Sequence, residues 1–294
     1  MKKTWLRNIG LGILSVFLFT LFLPSVASAD AVVGETVVTL GQDLTQQERQ
    51  AILNEMNVPN DVKIIEVTNA EEHQYLGKYL SKATIGSRAL SSAKITLTDA
   101  GSGIKVQTHN ITTITNAMYA NALITAGVKD ADVYVTAPKP VSGTAGLTGI
   151  LKAFEAATGT KISEEQKQVA NEEIVRTADL AKQIGSEKAT QFMLKLKEEV
   201  AKQQPQTPEE FRDIVVNVAG DLNINLTNQQ ITQLTQFTQN LSNLNINWDN
   251  VSNQLKNFQD QFQQVLNSKE AQGFFAMLVD WFWKLVEWIQ SQFR

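Results

Sequence analysis

One change of pattern constrains this fold more than any motif. From residue 30 to about 157, β-rich runs alternate with helix-forming stretches, and beyond about 158 the β-rich runs cease. The spacing predicts strands over 37–40, 62–67, 94–99, 104–110 and 131–137, with Pro138 and Pro140 expected to stop the last. Gly101-Ser102-Gly103 supplies the positive-φ residues of a tight hairpin between the third and fourth runs. Helices are expected over 45–56, 69–80, 115–126 and 144–157. Thr45-x-x-Glu48 and Asn69-x-x-Glu72 read as capping boxes, with a side-chain acceptor before the first turn and a carboxylate at its third residue. The order β-α-β-α-β-β-α-β-α implies an α/β layer with a mixed sheet, and the steps at Thr45 and Thr115 suit crossover connections.

The second part reads as all helix. Ser163-x-x-Gln166, Thr227-x-x-Gln230 and Thr207-Pro208-Glu209-Glu210 mark three helix starts, with a hinge at 203–208. Residues 221–267 hold 21 Asn or Gln among 47, a bias seen in aggregation-prone polar tracts. Yet Leu241, Leu244, Trp248, Val251, Leu255, Phe258, Phe262 and Val265 recur at spacings of 3 and 4, so helices with an uncharged polar outer face are expected. Asn and Asp favour caps over helix interiors, so 245–249 should break this seam in two. The fold class is therefore α+β: an N-terminal α/β layer over 30–157, then an all-helical region over 158–269.

The two ends are distinctive. Lys2, Lys3 and Arg7 precede an apolar run over 9–23, then Pro24 and the small residues Ala27-Ser28-Ala29. This is the layout of a secretory signal peptide, with cleavage expected after Ala29 and an extracytoplasmic, secreted or envelope-attached product. Its removal takes three cations and no acids from a chain of net charge −4, so the remainder is more acidic and unsuited to nucleic acid. At the other end, residues 270–294 form an aromatic amphipathic helix with Asp280, Lys284 and Glu287 on one narrow stripe. A membrane-spanning reading would bury all three near its centre, at about 2.5–3.5 kcal/mol for each Asp or Lys, and is rejected. Phe274, Phe275, Trp281, Phe282 and Trp288 are the candidate contacts to a membrane surface or a protein partner; burial against the neighbouring helices or a second copy is the competing expectation.

Material for catalysis is scarce. No cysteine excludes thiol chemistry, iron–sulfur clusters and zinc–thiolate sites. His73 and His109 are the only histidines, too few for a multi-histidine metal site. Asp221-x-Asn223-x-Asn225 begins like a calcium loop, but Leu226 stands where glycine is needed. Ser91-x-x-Lys94 has the letters of a Ser–Lys dyad, yet Lys94 opens a strand, where residues three apart face opposite sides. Gly143-x-x-Gly146-x-x-Gly149 lacks both the dinucleotide and the P-loop pattern and fits close packing of a helix on the sheet. No metal or cofactor is expected. The ligand-binding candidates are the polar loops: Ser87, Arg88, Ser91 and Ser92, where one Arg among hydroxyls suits an anionic or carboxylate-bearing ligand, and Ser142, Gly143 and Thr144.

Several stretches together resemble the YpuA-like secreted bacterial proteins, a domain of unknown function typical of Gram-positive bacteria. They are Leu40-Gly41-Gln42-Asp43-Leu44-Thr45, Tyr75-Leu76-Gly77, Ile85 through Ser92, Met118 through Leu123, Thr125 through Ala131, and Val141 through Gly149. The resemblance covers most of residues 31–200, and Gly146 stands where the family pattern leads one to expect Ala. It implies export and brings no activity, substrate or catalytic residue with it. The sequence thus points to an exported, envelope-associated, non-catalytic binding module whose partner is an envelope component, a membrane surface or another protein, with homo-oligomers open. The alternative is an envelope-directed hydrolase using Asp, Glu or Ser residues of the α/β part.

Overall fold

The computed structural model describes residues 32–143 and 146–267. The leader at 1–29, Thr144 and the aromatic segment at 270–294, with Phe274, Phe275, Trp281, Phe282 and Trp288, lie outside the described residues. The elements run β1 (Thr36–Gly41), α1 (Gln46–Glu55), β2 (Lys63–Val67), α2 (Asn69–Leu76), α3 (Lys82–Ile85), β3 (Ser92–Leu97), β4 (Ile104–Ile111), α4 (Asn116–Thr125), β5 (Ala131–Val141) and α5 (Gly146–Thr158). The all-helical part follows: α6 (Glu164–Ile184), α7 (Ser186–Gln203), α8 (Pro208–Asp221), α9 (Asn228–Ser242) and α10 (Trp248–Asn267).

The strands form one mixed sheet in the order β2-β1-β3-β5-β4. β1 pairs parallel with β2, and β4 with β5, so α1 and α4 are the crossovers expected at Thr45 and Thr115. β3 is antiparallel to both its neighbours. The expected β3–β4 hairpin is therefore not formed: β5 inserts between them. Gly101 and Gly103 do adopt φ of 87° and 73°, but their N–H groups donate to Asp130 Oδ1, each at 2.9 Å, which ties the loop to the start of β5. Nor do the prolines stop β5, which runs on to Val141. Pairing with β3 ends at the Ser92–Thr136 step, so beyond it Pro138 and Pro140 lie on a stretch with a neighbour on one side only, where a missing donor is tolerated. The register between β4 and β5 shifts between His109 and Ile111, where Asn110 takes φ 57° and its Nδ2 donates to the Ala137 carbonyl.

Helix starts follow the sequence closely. Reciprocal capping boxes form at Thr45/Glu48, Ser163/Gln166, Thr207/Glu210 and Thr227/Gln230. At α2 the box is shifted by one residue: Thr68 is the cap and Glu71 its partner. Thr68 has the extended backbone a cap needs, whereas Asn69 is already inside the helix, where its Nδ2 donates to Glu72 and to the Gly86 carbonyl. The Asn/Gln-rich stretch is helical, and the seam breaks between Ser242 and Trp248 as expected.

Alternation gives the sheet two unlike faces. Val37, Ile95, Val133 and Val135 point to the side covered by α4 and α5, where they join Leu123, Leu147 and Ile150 in the main core. Ile174 and Ala178 of α6 and Val251 and Leu255 of α10 belong to that same core, so the helical part closes directly over the sheet layer. A second core lies among α6–α9 around Phe192, Met193 and Phe237. On the other sheet face, among the described helices, α1 packs over Val38 and Leu40.

Candidate functional site

The Gly143–Gly149 pattern is a packing device. A Cβ at Gly149 would lie 2.7 Å from Thr39 Oγ1, one at Gly146 2.5 Å from the Tyr119 hydroxyl, and one at Gly143, φ 87°, 2.3 Å from Ile111. The buried Tyr119 hydroxyl donates to the Gly143 carbonyl. Gly146 and Gly149 let α5 lie close on β5 and β1.

β1, β2, β4 and β5 run one way and β3 the other, so their carboxyl ends and the start of β3 share one edge. Both candidate loops, 85–92 and 142–143, lie on that edge, the usual ligand side of such sheets. They do not merge into one pocket. The Arg88 guanidinium donates to the Asp43 carbonyl at 2.9 Å, and Ala89 N–H donates to the Asp43 carboxylate at 2.7 Å. Ser92 is buried, its Oγ accepting from Gly41 N–H at 3.3 Å. The Ser142 carbonyl accepts from Thr113 and Ile114 at the far side of the sheet. Ser87, Arg88 and Ser142 remain exposed, Ser91 half so. Beneath the 85–92 loop Glu72 is only 2% exposed, and burial, opposed by the Asn69 hydrogen bond and reinforced by the charges of Asp43 and Glu71, pushes its carboxyl up to about 7. A carboxyl so enclosed is closed to a substrate.

The open polar surface lies instead on the sheet face beside α1. The register places Lys94 and Thr96 of β3, Lys105, Gln107 and His109 of β4, and Asp132, Tyr134 and Thr136 of β5 on this one face. Lys94, Thr96, Lys105, Gln107, Asp132 and Tyr134 border a shallow depression of ≈ 510 Å³ closed at one end by Glu55, Met56 and Asn57 at the end of α1. Glu55 is its organising group. Its Oε1 accepts from the Tyr134 hydroxyl at 2.8 Å and meets His109 Nδ1 at 3.0 Å. Partial burial opposes ionisation of Glu55, but bonds from Thr136, Tyr134 and His109 outweigh it and hold the carboxyl below the ordinary range. The same contact, added to burial, raises the Tyr134 phenol to about 12, so it stays a donor. Lys94 reaches across to the Met56 carbonyl at 2.6 Å and caps α1, whereas Lys105, Gln107, His109 and Asp132 are exposed. The loop candidates missed this group. Its signal was present as polar residues at every second position of three strands, read one strand at a time.

This arrangement offers hydrogen-bond donors and acceptors of both signs on a broad, half-open surface; the hydroxyl that lies 3.5 Å from His109 Nδ1 is that of Thr136, which is fully buried. No group of three or more His, Asp or Glu among the described residues is placed to hold a metal. No described helix is long and apolar enough to cross a membrane.

With this geometry in view, comparison with known proteins defines the class. The family described as "Protein of unknown function (DUF1002)" matches residues 40–258, and the chain belongs to it. It is also 46% identical over 295 residues, covering all of both chains, to a Bacillus subtilis (strain 168) protein described as "Uncharacterized protein YpuA". The resemblance drawn from the sequence motifs is thereby established. No solved structure matches the chain significantly.

Proposed function

We propose that this protein is an exported, envelope-associated binding module without catalysis of its own, and that the polar face of its sheet is the binding surface. The observation that carries the reading is the face of β3, β4 and β5: seven partly or fully exposed polar side chains in register, on and beside a shallow depression left open by the described helices. Shallow polar surfaces with many donors and few buried anchors suit a hydrated polymer or a polar protein surface better than a reacting small molecule. The leader layout at 1–29 supports the extracytoplasmic address. The hydrolase alternative draws no support from the carboxyl edge, where Asp43 serves the Ala89 backbone, Glu72 is enclosed and the Ser92 hydroxyl serves Gly41.

The test is co-sedimentation of the protein with isolated Gram-positive cell walls, beside a Lys105→Glu, His109→Ala variant of unchanged circular dichroism. Binding that falls several-fold in the variant supports the reading. Equal binding by both, or none by either, removes this face as the site. Fractionation of an expressing culture decides the address separately, since a product confined to the cytoplasm contradicts it.

A further inference from the structure

On the opposite side of β4 lies a second concavity, of ≈ 570 Å³ and quite different character. An apolar strip runs through it, made by Ile104, Val106 and Ile111 of β4, Ala117 and Ala120 of α4, and Phe258 and Phe262 of α10, with polar residues such as Thr108, Asn116, Ser186 and Glu187 around it. β4 is the last strand of the sheet, so this groove runs along an open edge. Thr190 of α7 also lines it. It is 1% exposed, and its hydroxyl has no hydrogen-bond partner among the described residues. A buried unpaired hydroxyl in such a groove is costly unless an occupant supplies the partner.

The chain itself supplies a candidate for that occupant. Along α10, Val251 and Leu255 are buried in the main core, Phe258 is partly buried against it, and Phe262 is half-exposed at the groove with its ring stacked on Phe258, centroids 6.0 Å apart. The helical seam thus leaves the core and ends beside the groove. The 27 residues that follow Asn267 include Phe274, Phe275, Trp281, Phe282 and Trp288. Phe262 is five residues from Asn267, roughly 7.5 Å of helix. Seven further residues reach Phe274, a span of up to roughly 23–25 Å. A segment tethered this close is present at a high effective concentration whatever the dilution of the protein.

We propose that residues 270–294 of the same chain occupy this groove, placing aromatic side chains against Ile104, Val106 and Ala117 and covering the open side of β4. The groove, its unpaired hydroxyl and the aromatic segment are then parts of one intramolecular interface. This proposal is independent of the polar face, which lies on the other side of the sheet.

The full chain carrying Trp5→Phe and Trp248→Phe keeps tryptophan only at 281, 283 and 288, so acrylamide quenching reports that segment alone. Docking in the groove predicts weak quenching in plain buffer, unchanged on dilution. It also predicts a several-fold increase when Ala117→Glu is added, or when Phe274→Ser and Phe275→Ser are added. Ala117 sits in the first turn of α4, where an acidic residue suits the helix, so the fold should survive. Should circular dichroism show otherwise, Thr113→Lys at the groove rim replaces it. Strong quenching from the outset overturns the proposal. So does protection lost on dilution, which identifies a second copy as the occupant, or protection gained only with anionic or zwitterionic vesicles, which identifies a membrane. Protection that no groove variant disturbs in a folded protein overturns it as well.

Discussion

Lys197 of α7 and Glu173 of α6 form an ion pair at 2.8 Å with side chains 0% and 1% exposed. The remaining ammonium protons go to the Asn121 carbonyl at 2.8 Å and the Thr125 hydroxyl at 3.0 Å, and that hydroxyl in turn donates to Glu173. The network joins α4, under the sheet, to two helices of the all-helical part. Such a pair contributes little net stability against an apolar replacement, but either half alone is costly to leave behind.

Lys197→Met should accordingly destabilise the protein by about 3–5 kcal/mol, because Glu173 is left enclosed without its partner, whether it stays ionised or must take up a proton. The double variant Lys197→Met, Glu173→Leu should recover most of that loss. Guanidinium unfolding of the two variants beside the parent checks this, and a double variant as unstable as the single would contradict the account.

Glu72 makes stability depend on pH. Its folded value near 7 lies above the ordinary 4.5, so between the two the folded chain holds the extra proton. Stability therefore falls as pH rises through that window, by about 3 kcal/mol in all, and is level beyond it. Glu72→Gln keeps an acceptor for Asn69 and cannot ionise, so it should flatten this decline and exceed the parent in stability at about pH 8 while matching it near about pH 5. Unfolding midpoints at the two pH values decide it.

The α2 cap gives a local test. Thr68→Ala removes the side chain that accepts from Glu71 N–H and should cost about 1 kcal/mol. Asn69→Ala loses instead the bonds to Glu72 and the Gly86 carbonyl, leaving Glu72 without its donor. With Glu72→Gln in the background the Asn69→Ala cost should shrink, while the Thr68→Ala cost should not. Thermal unfolding of the four combinations separates the two.

Gly149→Ala should cost about 1–3 kcal/mol, since the added methyl lies 2.7 Å from Thr39 Oγ1 in a layer with no room to shift. Gly159→Ala meets no neighbour but carries φ 69°, so its cost comes from backbone strain alone. Replacing Gly159 by Asn, which tolerates that conformation, should recover part of the loss, whereas Gly149→Asn should be worse than Ala.

What was legible in the sequence was what a few neighbouring residues decide. The boxes at Thr45, Ser163, Thr207 and Thr227 close over three residues, so letters and structure agree. Thr68 lost to Asn69 on paper because both are good caps with a Glu three residues on, and only the extended backbone at Thr68 separates them. Strand order was beyond reach: the glycines at 101 and 103 suit a hairpin equally well, and it is Asp130, far along the chain, that takes their N–H groups. The polar face had its period-2 signature in each strand, but Glu55 comes from a helix and reaches His109 and Tyr134 only through the tertiary fold.

The antiparallel placing of β3 has a consequence for how such a chain is assembled when it emerges N-terminus first. β1-α1-β2 is contiguous in sequence and can close before β3 appears. β3 then adds to β1, but its second partner, β5, comes last of the five strands. Through that interval one flank of β3 is bare and its buried-side residues Ala93 and Ile95 lack their neighbours Val135 and Val133. The step that seals the sheet is thus also the step that withdraws its most adhesive edge from other chains.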